Sequence, residues 1–466
     1  MDDVSTEHAM DEIRRIVGED RVRAASDVDA IDGIQPAHLV EPESAAQLAQ
    51  VLAIANSSGL AIIPRGGGTK IDWGNPPRRA NLVLSTVRLN RVLEHASADM
   101  TATVQAGCTF GSFQNALAEK GQRLAIDPLF PDRATIGGIL ATNDSGPLRL
   151  TFSSIRDHLI GITVALPDGT LAKSGGKVVK NVAGYDLPKL FIGSFGTLGV
   201  IVEATFRLHP LPRASRTLQF SIPSSESLPN VLATLIDCSL ITTAVQIDAG
   251  DETGTSIWVL VEGLPDAIEQ KTRRVITAAQ SSGASLAVPG THAQSIQPAN
   301  PAPLYSGERM GEGLEHQLRI EPSSPPAPGV PGEGECFSSA QTLFDHPGVI
   351  CKICLLPTRI PALIDYLRAA SSARGLRWKL VMQSVGMGLL SLRIDAAHPL
   401  PEWIQYLRQH LSEFSGTLTI LRCPADAKSL VDPWPTVGDS LPLMRRIKQQ
   451  FDPNNTLSPG RFVGGI

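Results

Sequence analysis

Apolar residues recur along the chain in two rhythms. From residue 213 onward, strands and helices follow a fixed order. Residues 218–222, 243–247, 257–261 and 285–288 read as strands, with helices at 228–236 and 265–279 between them. The same β-α-β-β-α-β order returns at 349–356, 361–373, 377–383, 388–394, 401–413 and 416–422. Each set is a ferredoxin-like half, so the pair predicts one antiparallel sheet with helices on one face. The earlier part is less regular. An amphipathic helix is expected at 7–17. Ser44 and Gln47 form a capping-box pattern that opens a helix to about residue 56, with Leu48, Val51, Leu52 and Ile54 on its apolar face. Short strands at 61–63, 82–84, 100–107, 159–166 and 200–208 alternate with a helix at 110–120. Residues 167–170, Pro-Asp-Gly-Thr, read as a hairpin turn. A final helix is expected at 441–451.

Glycines interrupt these runs in three places. The strand at 61–63 leads into Pro64, Arg65, Gly66, Gly67, Gly68, Thr69 and Lys70. Glycines bring backbone N–H groups close to an anion because no Cβ intervenes, so this turn reads as a pyrophosphate cradle. No long helix opens behind it, which argues against a dinucleotide-binding Rossmann turn. It also lacks the spacing of a P-loop, which disfavours a kinase-like nucleotide site. The second segment runs through Ala134, Thr135, Ile136, Gly137, Gly138, Thr142, Asn143, Ser145 and Gly146. Its small residues admit a flat or charged ligand and its polar side chains can bond phosphates or ring heteroatoms. The third carries Gly193, Gly196 and Gly199 before the strand that starts at Val200 and Ile201. Together they predict an elongated ligand between two small subdomains.

The 466 residues exceed one hydrophobic core, and a charged fraction of 19% with a net charge of −5 is that of a globular chain without a nucleic-acid footprint. No apolar run approaches the roughly 20 residues that span a bilayer. The acidic start, Met1-Asp2-Asp3-Val4, lacks the regions of a signal peptide, so a cytoplasmic protein is expected. Cys351 and Cys354 form a C-x-x-C inside a strand, where positions i and i+3 point to opposite faces. Buried thiols are the reading favoured there, with a metal or redox pair as the other. The stretch 298–335, rich in Pro, Gly and Ser, reads as a flexible insertion whose Arg309, Glu312, Glu315 and His316 face solvent.

The combined motifs at 64–69, 134–143, 167–170 and 184–201 resemble the FAD domain of the vanillyl-alcohol oxidase/PCMH flavoproteins. Gly175–Asp186 and the C-terminal run 443–462 resemble the FAD-binding E subunit of bacterial glycolate oxidase, within the 2-hydroxyacid branch. The resemblance covers roughly residues 35–215 and 420–466. It implies an α+β fold: a two-subdomain FAD-binding domain at 1–212, an antiparallel-sheet cap of two ferredoxin-like halves at 213–430, and a segment at 431–466 that returns to the FAD domain.

Carried over by position, the turn at 65–69 donates amides to the pyrophosphate. Thr135–Gly138 and Thr142–Gly146 line the ribityl chain and ring, and Val200 and Ile201 pack near the ring or adenosine. Neither glycine segment contains a histidine, so the expected FAD is non-covalent. The resemblance implies oxidation of glycolate or a related 2-hydroxyacid. It also implies a catalytic flavoprotein subunit and an iron–sulfur subunit as partners, and peripheral placement at the inner membrane through their complex. Arg422 and Arg461 are candidates to hold a carboxylate or the N1–C2=O edge of the ring, with structural salt bridges as the plainer reading. No H-x-G-D-G or comparable metal-binding motif occurs, and His398 and His410 are expected to face solvent. No base for a substrate hydroxyl can be named, which leaves a non-catalytic flavin-binding or electron-relay subunit as the alternative.

Overall fold

In the computed structural model, residues 3–176, 186–237, 241–287, 339–346, 348–384, 386–393, 400–428 and 430–466 are described. Most of the 175–186 motif, the 298–335 stretch with its four polar residues, and His398 lie outside them.

Strands β1 (Val22–Ala24), β2 (His38–Val40), β3 (Ile62–Arg65) and β4 (Leu82–Ser85) make a first sheet in the order β1-β2-β4-β3. The pairs of β4 are parallel. Helices α1 (Asp3–Val17) and α2 (Ala45–Ser57) cover it, burying Met10, Ile13, Leu48, Val51 and Leu52. Ser44 caps α2, its Oγ accepting from the Gln47 N–H at 3.2 Å; the expected capping box is not completed, because Gln47 Oε1 accepts from the N–H of Glu43, one residue before the cap, at 2.8 Å.

Five strands build the second sheet, in the antiparallel order β5-β6-β10-β8-β9: β5 (Val92–Ala96), β6 (Thr101–Gln105), β8 (Leu159–Ala165), β9 (Leu171–Gly175) and β10 (Val200–Arg207). Between β6 and β8 the chain forms β7 (Gln122–Arg123), α3 (Phe110–Ala118), α4 (Ile136–Thr142), α5 (Arg149–Phe152) and α6 (Ile155–His158). The short α7 (Pro188–Phe191) precedes β10, and β11 (His209–Pro210) pairs with β7. Phe113, Leu117, Ile136, Ile139 and Phe206 fill the core between α3, α4 and this sheet.

The third sheet has eight strands in the order β15-β12-β14-β13-β17-β18-β16-β19. Its first half is β12 (Ala214–Ile222), β13 (Ala244–Gly250), β14 (Thr255–Gly263) and β15 (Ser285–Leu286). The second is β16 (Val349–Cys354), β17 (Arg377–Ser384), β18 (Met387–Arg393) and β19 (Thr417–Arg422). Each half has the ferredoxin-like order, and β13 joins β17 where they meet. Helices α8 (Leu228–Asp237), α9 (Pro265–Ser281), α11 (Ile360–Arg374) and α12 (Leu400–Glu413) share one core with this sheet. The short α10 (Ser339–Thr342) lies before β16.

Alternation along the strands puts the other face of this cap toward the two smaller sheets. Ile350, Val381, Leu389 and Leu421 cluster there with Trp73 and Leu129. Beside them, the buried Arg123 of β7 pairs with Glu262 of β14 through Nη1 at 2.8 Å and Nη2 at 2.6 Å. Cys351 is a free thiol in the core whose pKa burial pushes up, and Cys354, also free, is only partly buried. His410 departs from expectation: its ring stacks on Tyr366 at 3.9 Å and meets the edge of Phe414, so it packs on the helix face instead of facing water.

After β19 come α13 (Ala425–Lys428) and α14 (Leu441–Phe451), and then the tail crosses to the first sheet. The Ile62 N–H donates to Thr456 O at 2.8 Å, and the Ser458 N–H donates to Ile62 O at 2.8 Å. The tail thereby extends the sheet beside β3 in parallel. Pro64 has no N–H to continue this pairing.

Candidate functional site

The glycine turn after β3 is shaped by what it packs against. A Cβ on Gly66 would lie 2.0 Å from Thr135 Oγ1, and one on Gly67 would lie 1.8 Å from Arg133 O. Gly68 has φ +71°. The first two glycines therefore let the turn rest on residues 133–135, and the third supplies a left-handed backbone that side chains disfavour. Thr135 is the N-cap of α4, its Oγ1 accepting from the Gly138 N–H at 3.4 Å.

Between the turn, α4 and the start of β10 lies a cleft with about 780 Å³ of free space, counting the part open to solvent. All of Pro64 to Lys70 line it, as do Thr135, Gly137, Gly138, Thr142, Val200 and Ile201. Among the described residues, none of the backbone N–H groups of Gly66 to Lys70 donates to a protein acceptor. A run of unpaired donors in a cleft needs an anion or water to satisfy it.

The two cations of the turn are already matched. Arg65 Nη2 donates to Asp29 Oδ1 at 2.9 Å, and Lys70 Nζ lies 3.0 Å from Asp144 Oδ2. Asp29 is buried, and the Arg23 guanidinium, with Ser26 and Arg65, holds its carboxyl well below the usual range. The groups left to meet an anion are thus the backbone amides, with the positive end of α4 nearby.

Arg461 also lines the cleft. The tail's pairing with β3 delivers it there. It is 4% exposed, and its Nη2 donates to the carbonyls of Ile71 and Trp73. Its Nε is buried without a protein acceptor, and burial lowers its pKa. Asp32 and Asp72 lie in the same region, and Lys428 ties them together by donating to Asp32 Oδ1 at 2.7 Å and to the Asp72 carbonyl.

Arg422 does not line the cleft. Its guanidinium donates to the carbonyls of Phe344 at 2.7 Å and His346 at 2.6 Å, and sits over the Phe344 ring. Five residues of the second glycine segment are also placed away from the cleft lining. Ala134 and Ile136 point into the core. Asn143 ends α4 at φ +49° with its Oδ1 buried and unpartnered, the Ser145 hydroxyl meets Arg149, and the Gly146 N–H donates to Asp127 Oδ1 at 3.0 Å.

Gly196 and Gly199 of the third glycine segment line the cleft as well, together with Thr86, Ser194 and Phe195, which the sequence reading did not name as ligand contacts. Gly193, Gly196 and Gly199 were the available signal. Gly196 has φ +67° and lies close enough to Pro64 that a Cβ would contact its ring at 3.4 Å. Phe195, at φ +56°, is held edge-on against Trp434 at 5.0 Å and near Phe462 at 5.9 Å. No histidine, aspartate or glutamate is among the lining residues. No group of three or more His, Cys, Asp or Glu is placed to hold a metal ion among the described residues.

Residues 36–175 match the FAD binding domain family. Over 206 residues the chain is 34% identical to glycolate oxidase subunit GlcD of Bacillus subtilis, covering 44% of each protein. Over 198 residues it is 36% identical to D-2-hydroxyglutarate dehydrogenase of Xanthomonas citri, covering 42% of each. The chain thus spans under half the length of these curated relatives. A solved structure of 4-ethylphenol oxidase from Gulosibacter chungangensis superposes with a TM-score of 0.69 over 99% of this chain and 97% of that one, at 16% identity. That likeness is one of fold, extending through the cap. The unpaired amides of the turn, which lies within residues 36–175, fit the cofactor that this domain's description names.

Proposed function

Starting from an FAD-binding domain at residues 36–175, we propose that the chain is the FAD-binding subunit of a 2-hydroxyacid oxidoreductase. Glycolate or a close relative is the substrate class, and electrons leave the flavin for a partner subunit. The observation that carries the reading is the run of unpaired amides from Gly66 to Lys70 on the cleft floor, with both neighbouring cations neutralised. These amides hold the pyrophosphate. Thr135, Gly137, Gly138 and Thr142 flank the ribityl chain, and Val200 and Ile201 pack against the cofactor. When bound, FAD supplies the two-electron acceptor for oxidation of the hydroxyl-bearing carbon.

Arg461 is the cation of this site, fixed by the carbonyls of Ile71 and Trp73 on the cleft wall, where its charge lies beside the N1–C2=O edge of the ring. Fixed positive charge there favours the reduced cofactor, where negative charge develops. Burial of the guanidinium strengthens that field because little water screens it. No histidine lines the cleft, which supports a non-covalent flavin. The iron–sulfur partner, and correspondence to the E rather than the D subunit of such a complex, belong to the proposal.

One observation favours a second reading, that of an electron-relay subunit without its own substrate chemistry. The cleft lining holds no carboxylate or imidazole to take the hydroxyl proton. Anaerobic mixing of the FAD-loaded chain with glycolate and D-lactate separates the two. Bleaching of the oxidised-flavin band by the chain alone supports the first reading. Bleaching only in the presence of co-purified subunits supports the second, and a colourless protein that cannot be loaded with FAD refutes both.

A further inference from the structure

Arg461 reaches the cleft wall out of a small buried network of charges. Its Nη2 donates to the carbonyls of Ile71 and Trp73, and its Nε has no protein acceptor. Two carboxylates, Asp32 and Asp72, act on the guanidinium through their charge, without a direct bond to it. Each negative charge there cancels part of the positive field that Arg461 offers the cleft. Lys428 limits that cancellation.

The position of Asp32 is set by the backbone. The turn at 31–34 is closed in both directions, the Ile31 N–H donating to Ile34 O at 2.9 Å and the Ile34 N–H to Ile31 O at 3.0 Å. Inside it Asp32 takes φ +50°, a left-handed conformation that aspartate tolerates better than most residues. Its side chain is 6% exposed. Lys428 Nζ, at the end of α13 and also buried, donates to its Oδ1 at 2.7 Å, while Oδ2 is buried without a donor. A buried ion pair with one oxygen unmatched is a weak source of stability. The other bond of Lys428 goes to the backbone carbonyl of Asp72, not to its carboxylate, and burial pushes that carboxyl up toward its neutral form. With Asp32 matched by Lys428, the charge left over in the cluster is that of Arg461.

We propose that Lys428 is a positioning residue for the redox chemistry of the cleft: by neutralising Asp32 it keeps the Arg461 charge uncancelled beside the flavin and so favours the reduced cofactor. The inference rests on the reading above that FAD fills the cleft with its ring beside Arg461. Lys428 is not among the residues that line the cleft, so its influence arrives as a field, relayed by the charges of Asp32 and Arg461.

The test is the midpoint potential of the FAD-loaded protein at pH 8, read by spectroscopic redox titration in wild type, Lys428→Met, Asp32→Asn, the double variant and Lys428→Arg. Lys428→Met leaves Asp32 unopposed. It should lower the preference for reduced over oxidised flavin by about tenfold, as expected of one charge in a weakly screened interior, which is about 30 mV for a two-electron couple. Asp32→Asn leaves Lys428 unopposed and should raise the potential by a similar amount. The double variant and Lys428→Arg should both return to within about twofold of wild type. A merely structural pair behaves otherwise: each single variant breaks the same bond, so the shifts share one sign or vanish, and either result overturns the proposal. Asp32→Asn hardly changes volume and answers alone if Lys428→Met does not fold; a potential at or below wild type then overturns it. Arg461→Met separates this inference from the reading beneath it. If that variant lowers the potential while the Lys428 and Asp32 variants leave it unmoved, the ring lies beside Arg461 and only the role of Lys428 falls. If none of them moves it, the placement of the ring falls as well.

Discussion

Replacing Gly67 with alanine tests the cradle directly. The new Cβ would start 1.8 Å from Arg133 O and 2.9 Å from its carbonyl carbon, and real Cβ contacts essentially never fall below 3.0 Å. Both atoms are backbone, so no flexible side chain can swing aside. Relief requires the turn to move away from residues 133–135 by about 1 Å or more, which stretches a hydrogen bond of about 2.9 Å out of range. Loss of two amide contacts to a charged diphosphate, at about 1.5–3 kcal/mol each, removes about 3–6 kcal/mol of binding. The FAD dissociation constant should then rise by about two to four orders of magnitude. Titration of apoprotein with FAD, followed by quenching of flavin fluorescence, measures it. Gly254→Ala is the control, since a Cβ there meets nothing within 4 Å; its affinity should match wild type. A Gly67→Ala protein that binds FAD within about threefold of wild type would refute an amide cradle at this turn.

Other consequences are equally open to measurement. His158 is buried, and its pKa is pushed down to about 4 by burial and then by the charges of His209 and Arg207. A histidine held neutral in the fold contributes stability that is present above its unfolded pKa of 6.5 and is lost as pH falls toward 4, about 3 kcal/mol in all. Urea midpoints measured from pH 7.5 down to 4.5 should fall more steeply for wild type than for His158→Leu, and parallel curves would contradict this. Breaking the Arg123–Glu262 pair with Glu262→Gln should cost about 3–5 kcal/mol, because the guanidinium stays buried without its counter-charge. The double replacement Arg123→Met/Glu262→Leu should recover most of that in thermal melts. Lys448→Met removes the Nζ that holds Thr197 O and Leu457 O at 2.9 Å each and pairs with buried Asp452. It should destabilise the tail and weaken FAD together, checked by proteolysis and by FAD titration.

How much of this was visible in the sequence follows from how local each feature is. The cap halves were legible because their strands run long enough to show a period and their helices carry a clear apolar face; α14 was expected at the residues where it forms. The short strands β1, β2, β7 and β11 have two or three residues each, too few for any period, and they form only because neighbours pair with them. At the site, the glycine turn was legible because its backbone requirements are written in its residue types. The neutralisation of Arg65 by Asp29 and of Lys70 by Asp144 was not, since each joins positions far apart in sequence. Arg422 and Arg461 looked alike as residues near the C-terminus. Pairing of the tail with β3 brings Arg461 to the cleft, whereas β19 and the segment around Phe344 keep Arg422 away. Ala134 and Ile136 were drawn into the ligand list by their neighbours, although the start of α4 turns them toward the core.

The edge contact between Leu457 and Ile62 also sets an order of assembly. A chain emerging from the ribosome makes the glycine turn early and Arg461 about four hundred residues later, a separation that only a late, non-local closure can bridge. Until then β3 presents an open edge and the cleft lacks its buried cation. On this geometry the cleft wall is complete only once the tail has paired with β3. A nascent chain stalled anywhere within the cap would hold FAD poorly, however well its first two sheets had folded.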